Sequence, residues 1–389
     1  STLDFDPHLG KIGIGRIRRG TLRVGQTVAK VTESGKLGTF RVEKLYTSRG
    51  IKREEVAEAP AGDIVGIAGV AGIEIGQTIT DPAVAEALPT MHVAEPTLRI
   101  TVGANTSPFA GREGKFVTSR QVGERLMKEK EINLGLRIEM LDGGSFEVVG
   151  RGELHLAVLL ETMRREGYET QVSKPEVIVK EGQEPYEEVT VDVPDEYLGA
   201  VNTEMGKRRA MMTDMHTDGR GSTRMIFEIS QRNLMGARNL LLTATKGTVV
   251  FNTMPLGYRQ MGTALARTRN GVLVANDTGK SMAYSLENAQ ERGELFVEPG
   301  EEVYEGMIIG LNSRENDMEI NVCKDKAKTN VRSATKEMKI SLTPAIKMSI
   351  EQALDFIEDD ELIEITPLTI RMRKKFLTHP ERVRAARRT

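Results

Sequence analysis

Apolar residues recur with two different periods along this chain, and the change of period divides it. Residues 1 to about 82 alternate or run in short apolar blocks (IGIGRIRRGTLRVGQTVAKV, GTFRVEKLYT, GDIVGIAGV) broken by glycine at close intervals. Period-two patterning with frequent turn residues predicts a small closed β-barrel. Pro82, Pro89 and Pro96 then mark a linker, because proline fixes its φ and has no amide hydrogen to give a ladder.

Beyond Pro96 the period switches back and forth. TLRITVGA predicts a strand, SRQVGERLMKEKEIN a helix capped by Ser119, and LRIEMLD and SFEVVGRG two strands turned at Gly143-Gly144. A helix over GRGELHLAVLLETMRREGYE and a strand in YETQVSKPEVIV complete a βαββαβ unit, the order of a ferredoxin-like sandwich. The same order returns in EEVTVDVP, EYLGAVNTEMGKRRAMM, MMTDMHTD, STRMIFEIS, GARNLLLTATKG and TVVFNTMP. The remainder reads as mainly β to about 342, followed by an amphipathic helix, PAIKMSIEQALDFI, opening at Pro344. The expected fold is therefore multidomain: a β-barrel over 1–88, two α+β ferredoxin-like sandwiches over 93–180 and 184–258, and a mainly β domain with one or two helices over 259–389.

Two segments invite a phosphate-binding reading and fail it. In GRGELHLAVLLETMRREGYE, Leu156, Leu159, Leu160 and Met163 fall at i, i+3, i+4 and i+7, so the stripe packs on a sheet while Glu161, Arg164 and Arg165 face water. NDTGKSMAYS carries Gly279-Lys280-Ser281, but a phosphate loop needs a first glycine where Val274 stands; a turn with an exposed lysine is expected instead. The single Cys323 excludes an internal disulfide and fits a reducing cytoplasm, and five scattered histidines give no metal-ligand spacing. No nucleophile set is evident, so no catalytic residue, metal or cofactor is expected in this chain; a nucleotide at Lys280 or a pure protein scaffold are the alternatives.

Charge changes this picture through its distribution. The formal net charge is -2, which discourages nucleic-acid binding, yet Glu351 to Glu364 is an acidic block without a basic residue, and basic stretches flank it. One runs through Lys324, Lys326, Lys328, Arg332, Lys336 and Lys339, the other through Arg371, Arg373, Lys374 and Lys375 toward the C-terminus. Lys207, Arg208 and Arg209 close a predicted helix with more cations than its dipole needs. These thirteen cations are the candidate RNA-binding residues. With no Trp and 4% aromatic residues, stacking on unpaired bases is not expected, whereas backbone and shape recognition of folded RNA is.

Several motifs carry a family likeness. DPHLGKIGIGRIRRGTLRVGQTV, AGDIVGIAGV and IGQTITDP resemble the second-domain barrel of translational GTPases. GRGELHLAVLLETMRREGYE resembles the second helix of domain III of elongation factor G, and VDVPDEYLGAVNTEMGKRRAMMTDM the start of its domain V. Only about SKPEVIVKEGQEP separates the two modules, leaving no room for that factor's domain IV. The stretch from PLGYRQMGTALARTRNGVLVANDTGKSMAYS to NVCKDKAKTNVRSATKE resembles the final domain of the BipA/TypA family of ribosome-binding translational GTPases.

The resemblance implies a monomer of the bacterial cytoplasm whose partners are the 70S ribosome, rRNA and the acceptor arm of the A-site tRNA. It also implies roles in ribosome assembly, translation regulation and stress adaptation. GTP and Mg would belong to the family's amino-terminal GTPase domain, which acts in cis and whose motifs this sequence lacks. This chain is accordingly expected neither to bind nor to hydrolyse GTP, although the parent protein would.

Overall fold

Glycine-punctuated alternation in the first 80 residues builds strands that cover a common apolar interior. The computed structural model describes residues 1–389 except 7, 51, 90–94, 134, 264, 266–268, 326–340 and 388–389, and it divides into two compact units, 1–96 with 123–138, and 97–122 with 139–389. In the first unit, strands Thr2–Asp6, Gly10–Arg16, Ile64–Ala68, Lys44–Arg49 and Lys52–Glu55 form one antiparallel sheet in that order. Thr78–Thr80, Thr27–Thr32 and Gly35–Arg41 form another. Val28, Leu45, Val65 and Ile67 fill the space they enclose. Gly69 sits at φ 95°, and a Cβ there would meet the Arg41 carbonyl oxygen at 2.7 Å, so the close chain crossing requires glycine.

The first βαββαβ module follows along the chain. Its elements are β1 (Leu98–Ala104), α1 (Ser119–Ile132), β2 (Arg137–Met140), β3 (Phe146–Gly150), α2 (Glu153–Glu166) and β4 (Thr170–Ser173), with strand order β2-β3-β1-β4. The helix cap differs from the sequence expectation. Thr118, not Ser119, caps α1: its Oγ1 accepts from the Gln121 amide at 3.3 Å while Gln121 Oε1 accepts from the Thr118 amide at 3.1 Å, and the Ser119 hydroxyl donates to the Gly144 carbonyl. Along α2, Leu156, Leu159, Leu160 and Met163 are buried as the spacing requires.

The second module repeats the order with β5 (Gln183–Pro194), α3 (Leu198–Lys207), β6 (Met211–Thr217), β7 (Ser222–Ser230), α4 (Ala237–Ala244) and β8 (Val250–Gln260). Its sheet runs β6-β7-β5-β8. Val189, Val191 and Val193 of β5 and Met225, Phe227 and Ile229 of β7 alternate onto the face that Val201, Met205 and Leu241 of the helices cover.

The final domain contains β9 (Val272–Ala275), α5 (Ala283–Gln290), β10 (Met307–Asn312), α6 (Ile350–Phe356), β11 (Glu361–Ile365), β12 (Ile370–Lys374) and α7 (His379–Ala386), among shorter strands. It is no separate sheet: β4 pairs antiparallel with β11, Thr170 opposite Ile365 and Ser173 opposite Leu362, so one 11-stranded sheet joins the first module to the last domain.

Two local expectations are corrected. The helix expected at Pro344 starts after Ser349, which closes a capping box with Gln352; upstream, the Ile346 amide is spent on the Leu295 carbonyl at 2.8 Å. Gly279-Lys280 forms a two-residue strand against Glu302-Val303, not a turn, and Lys280 remains exposed. Among the described residues no helix is long and apolar enough to cross a membrane.

Candidate nucleic-acid interface

The cations singled out from sequence separate into an outward set and an inward set. Lys207, the last residue of α3, is exposed and rims a shallow groove of about 520 Å³ bordered by Thr203 of α3 and by Leu240 and Thr243 of α4. Arg209 is exposed too, and it occupies the left-handed region at φ 59°. There the helix closes by Arg209 N–H to the Gly206 carbonyl at 3.0 Å and Ala210 N–H to Met205 at 3.0 Å, an ending where glycine would be easier. Lys324 is exposed while its carbonyl is held by the Ser285 hydroxyl. Lys375 is exposed just after β12. Lys326, Lys328, Arg332, Lys336 and Lys339 lie outside the described residues.

Arg208 is a correction. It is 4% exposed, and its guanidinium donates to Glu204 Oε1 at 2.7 Å and to the carbonyls of Asn233 at 2.8 Å and Met235 at 2.6 Å. A helix advances about 100° per residue, so three consecutive cations cannot share a face, and the middle one is spent tying α3 to the turn after β7. At 4% exposure it offers a phosphate almost no surface.

Arg371, Arg373 and Lys374 are corrected for a different reason. They lie on β12, which pairs with β11 so that Glu361 is opposite Lys374 and Glu364 opposite Arg371. The acidic and basic blocks therefore neutralise one another across a hairpin. Lys374 is 2% exposed, and its Nζ lies 2.8 Å from Glu361 Oε1, 2.8 Å from Asp360 and 2.6 Å from Asp317. Burial alone would lower its ammonium pKa, but Glu361 and the hydrogen bonds to Asp317 and Asp360 prevail and raise it. Arg269 joins the same Glu361 carboxylate. Arg373 donates to Gln171 at 2.8 Å and Thr106 at 3.0 Å, and burial lowers its pKa against the pull of Glu364. Arg371 binds Glu113, whose carboxyl lies below its usual range because Thr366, Arg371 and Thr369 together outweigh the desolvation that raises it.

Glu364, fully buried, behaves oppositely. The Tyr304 hydroxyl donates to it, and the arginine nitrogens stand off at 3.5 Å for Arg373 and 3.8 Å for Arg371. Desolvation pushes its pKa up to about 7 despite those cations.

One further polar constellation has no signal in the sequence. Within the second unit, a cleft of about 1330 Å³ is lined by Glu184, Arg232, Asn233, Asp355, Lys375, Phe376 and Arg384 among others. Of these, only Lys375 is among the thirteen candidate cations. Burial of Glu184 and Asn233 leaves no trace in a single sequence, and Phe376 is hidden by the basic run it adjoins.

The outward cations stand on modules of known lineage. A family model described as the TypA/BipA C-terminal domain matches residues 270–379. Models described as elongation factor G C-terminus and elongation factor Tu domain 2 match 181–269 and 10–80. The chain belongs to the TypA/BipA family. It is 45% identical over 392 residues to the large ribosomal subunit assembly factor BipA of Bacillus subtilis, covering 99% of this chain and 64% of that protein. The proteins of the same name from Salmonella typhimurium and Synechocystis sp. are 45% and 48% identical, over 100% and 96% of this chain and 65% and 64% of their own lengths. The chain thus spans just under two thirds of the length of these relatives.

Proposed function

We propose that this chain is the RNA-docking portion of a translational GTPase that acts in assembly of the large ribosomal subunit. Lys207, Arg209, Lys324 and Lys375 contact rRNA phosphates, and the stretch from Lys324 to Lys339 reaches the acceptor arm of the A-site tRNA. GTP, Mg and hydrolysis belong to the part of the relatives' length that this sequence does not cover, and the whole protein works on the ribosome in the cytoplasm, with effects on translation and stress adaptation.

The observation that carries this reading is the split among the cations. Those whose charge the fold needs are buried and paired, whereas Arg209 keeps a long cationic side chain at a backbone position that favours glycine. A non-glycine residue held at positive φ costs on the order of 1 kcal/mol, and the Arg209 side chain sets against it one long, exposed hydrogen bond, Nη1 to the Thr263 carbonyl at 3.4 Å. The family relationship supplies the partner, since the relatives named above are called large ribosomal subunit assembly factors.

The reading is tested by co-sedimentation with large ribosomal subunits over a salt series. A cation that binds a phosphate releases counterions, so removing one such cation should flatten the plot of log affinity against log salt by about 0.7–0.9. Reversing charge at Lys324, Lys326 and Lys328 should weaken binding and flatten the slope; an unchanged slope and affinity would remove the proposal.

A further inference from the structure

Helices α2 and α6 meet through two carboxyl groups. Glu153 opens α2 and Asp355 stands in the last turn of α6, and the two side chains are hydrogen-bonded to each other. Asp355 Oδ2 accepts from Asn239 Nδ2 of α4 at 2.5 Å. Its Oδ1 and Glu153 Oε1 are buried, and among the described residues no N–H or hydroxyl donates to either. An ionised carboxylate can only accept, so two of them in contact need one proton between them. The contact ties together α2 of the first module, α4 of the second and α6 of the final domain.

The charges that face the pair do little to relieve it. Glu351, one turn earlier on α6, and Glu187 of β5 add negative charge to the site. Burial raises the Glu187 carboxyl as well, against its hydrogen bond to Thr253. Arg208, at the end of α3, attracts Asp355, but its guanidinium is already given to Glu204 and to the Asn233 and Met235 carbonyls. Across the cleft that Asp355 also lines, Glu184 and Arg232 are ion-paired with each other at 3.1 Å. Desolvation is the largest effect on both acids: it raises Asp355 from 3.8 to about 6 and Glu153 well above 4.5. The proton belongs to the pair and not to either residue. Because the folded values lie above the unfolded ones, the contact stabilises fully below 3.8 and its contribution is lost as pH rises through about 6.

We propose that Glu153 and Asp355 form a proton-operated latch: one shared proton pins α6 to α2, and its loss sets two carboxylates against each other so that α6 opens more readily. Mild acid therefore tightens the hold of the final domain on the first module, and neutral pH loosens it. The latch is independent of the RNA-docking reading.

Hydrogen exchange of the α6 amides, Ile350–Phe356, tests it once the intrinsic pH dependence of exchange is removed. The opening constant of α6 should rise about tenfold between pH 5 and pH 7. Glu153→Gln should flatten that rise, because its carboxamide keeps the length of the side chain and donates permanently to Asp355. Asp355→Asn leaves an acceptor for Asn239 and should do the same, so it decides the matter if the first variant does not fold. Glu364 titrates in an overlapping range, but neither substitution alters it, and the difference between parent and variant isolates the pair. No rise in the parent, or a rise of equal size in the parent and the variants, overturns the proposal.

Discussion

Glu361→Ala should destabilise the final domain by about 3–5 kcal/mol, the cost of removing one partner from a buried ion pair. The Glu361 carboxylate is 1% exposed and gathers Lys374 at 2.8 Å, Arg269, and the Glu358 amide at 2.9 Å. Lys374 would keep Asp317 and Asp360, so the loss should fall toward the lower end of that range. Hydrogen exchange of the β11 and β12 amides would measure it, and a change below about 1 kcal/mol would mean that these charges are effectively solvated. Glu364, three residues on, should respond in the opposite sense. Its folded pKa of about 7 lies above the 4.5 of a free glutamate, so the stability it contributes is present below pH 4.5 and lost as pH rises through 7. Glu364→Gln should therefore flatten the stability profile across that window and leave the protein more stable at about pH 8 by about 2 kcal/mol.

Arg208→Ala should cost about 2–4 kcal/mol, because it removes three hydrogen bonds from a buried guanidinium and strands the Asn233 and Met235 carbonyls. Lys207→Ala and Arg209→Ala, both at exposed positions, should change stability by less than about 0.5 kcal/mol. Arg209→Gly should even stabilise slightly, since its φ of 59° suits glycine. On ribosomes the ranking should invert. The Lys207 and Arg209 variants should bind more weakly, while a folded Arg208→Lys variant should bind as the parent does. Thermal unfolding paired with co-sedimentation measures both rankings, and a uniform effect of all three positions would contradict the division of labour.

Much of this architecture can be read from sequence, for identifiable reasons. Both βαββαβ modules follow from the alternation in stretches such as VTVDV and the i, i+3, i+4 spacing of Leu156, Leu159 and Leu160, punctuated by Gly143-Gly144 and Gly219 to Gly221. What stays hidden is non-local. Nothing in Thr170–Ser173 announces a partner strand at Leu362–Ile365, because pairing between strands so distant in sequence leaves no periodic trace. The charges of β11 and β12 mislead for a related reason. IRMRK alternates charged and apolar residues in the manner of a half-exposed strand, ELIEI carries two glutamates among apolar residues, and only the hairpin register turns surplus acid and base into internal pairs. The complementary order, Glu361 and Glu364 before Arg371 and Lys374 across a Thr-Pro turn, is the available clue.

Arg208 shows how a cluster of like residues conceals different tasks. Composition groups Lys207, Arg208 and Arg209, but helix geometry and a glycine-like closing residue assign the middle one to the fold and leave its neighbours exposed. The same distinction separates Lys375 from Lys374 one residue earlier, as β12 ends.

Whether the outward cations, and not the inward ones, hold ribosomal RNA is tested most directly by a density map of the protein bound to the large ribosomal subunit. The side chains of Lys207, Arg209, Lys324 and Lys375 should lie within hydrogen-bond distance of phosphate oxygens, about 2.7–3.2 Å, with Arg208, Arg373 and Lys374 still turned into the protein. A bound state in which those four face solvent or protein would contradict it.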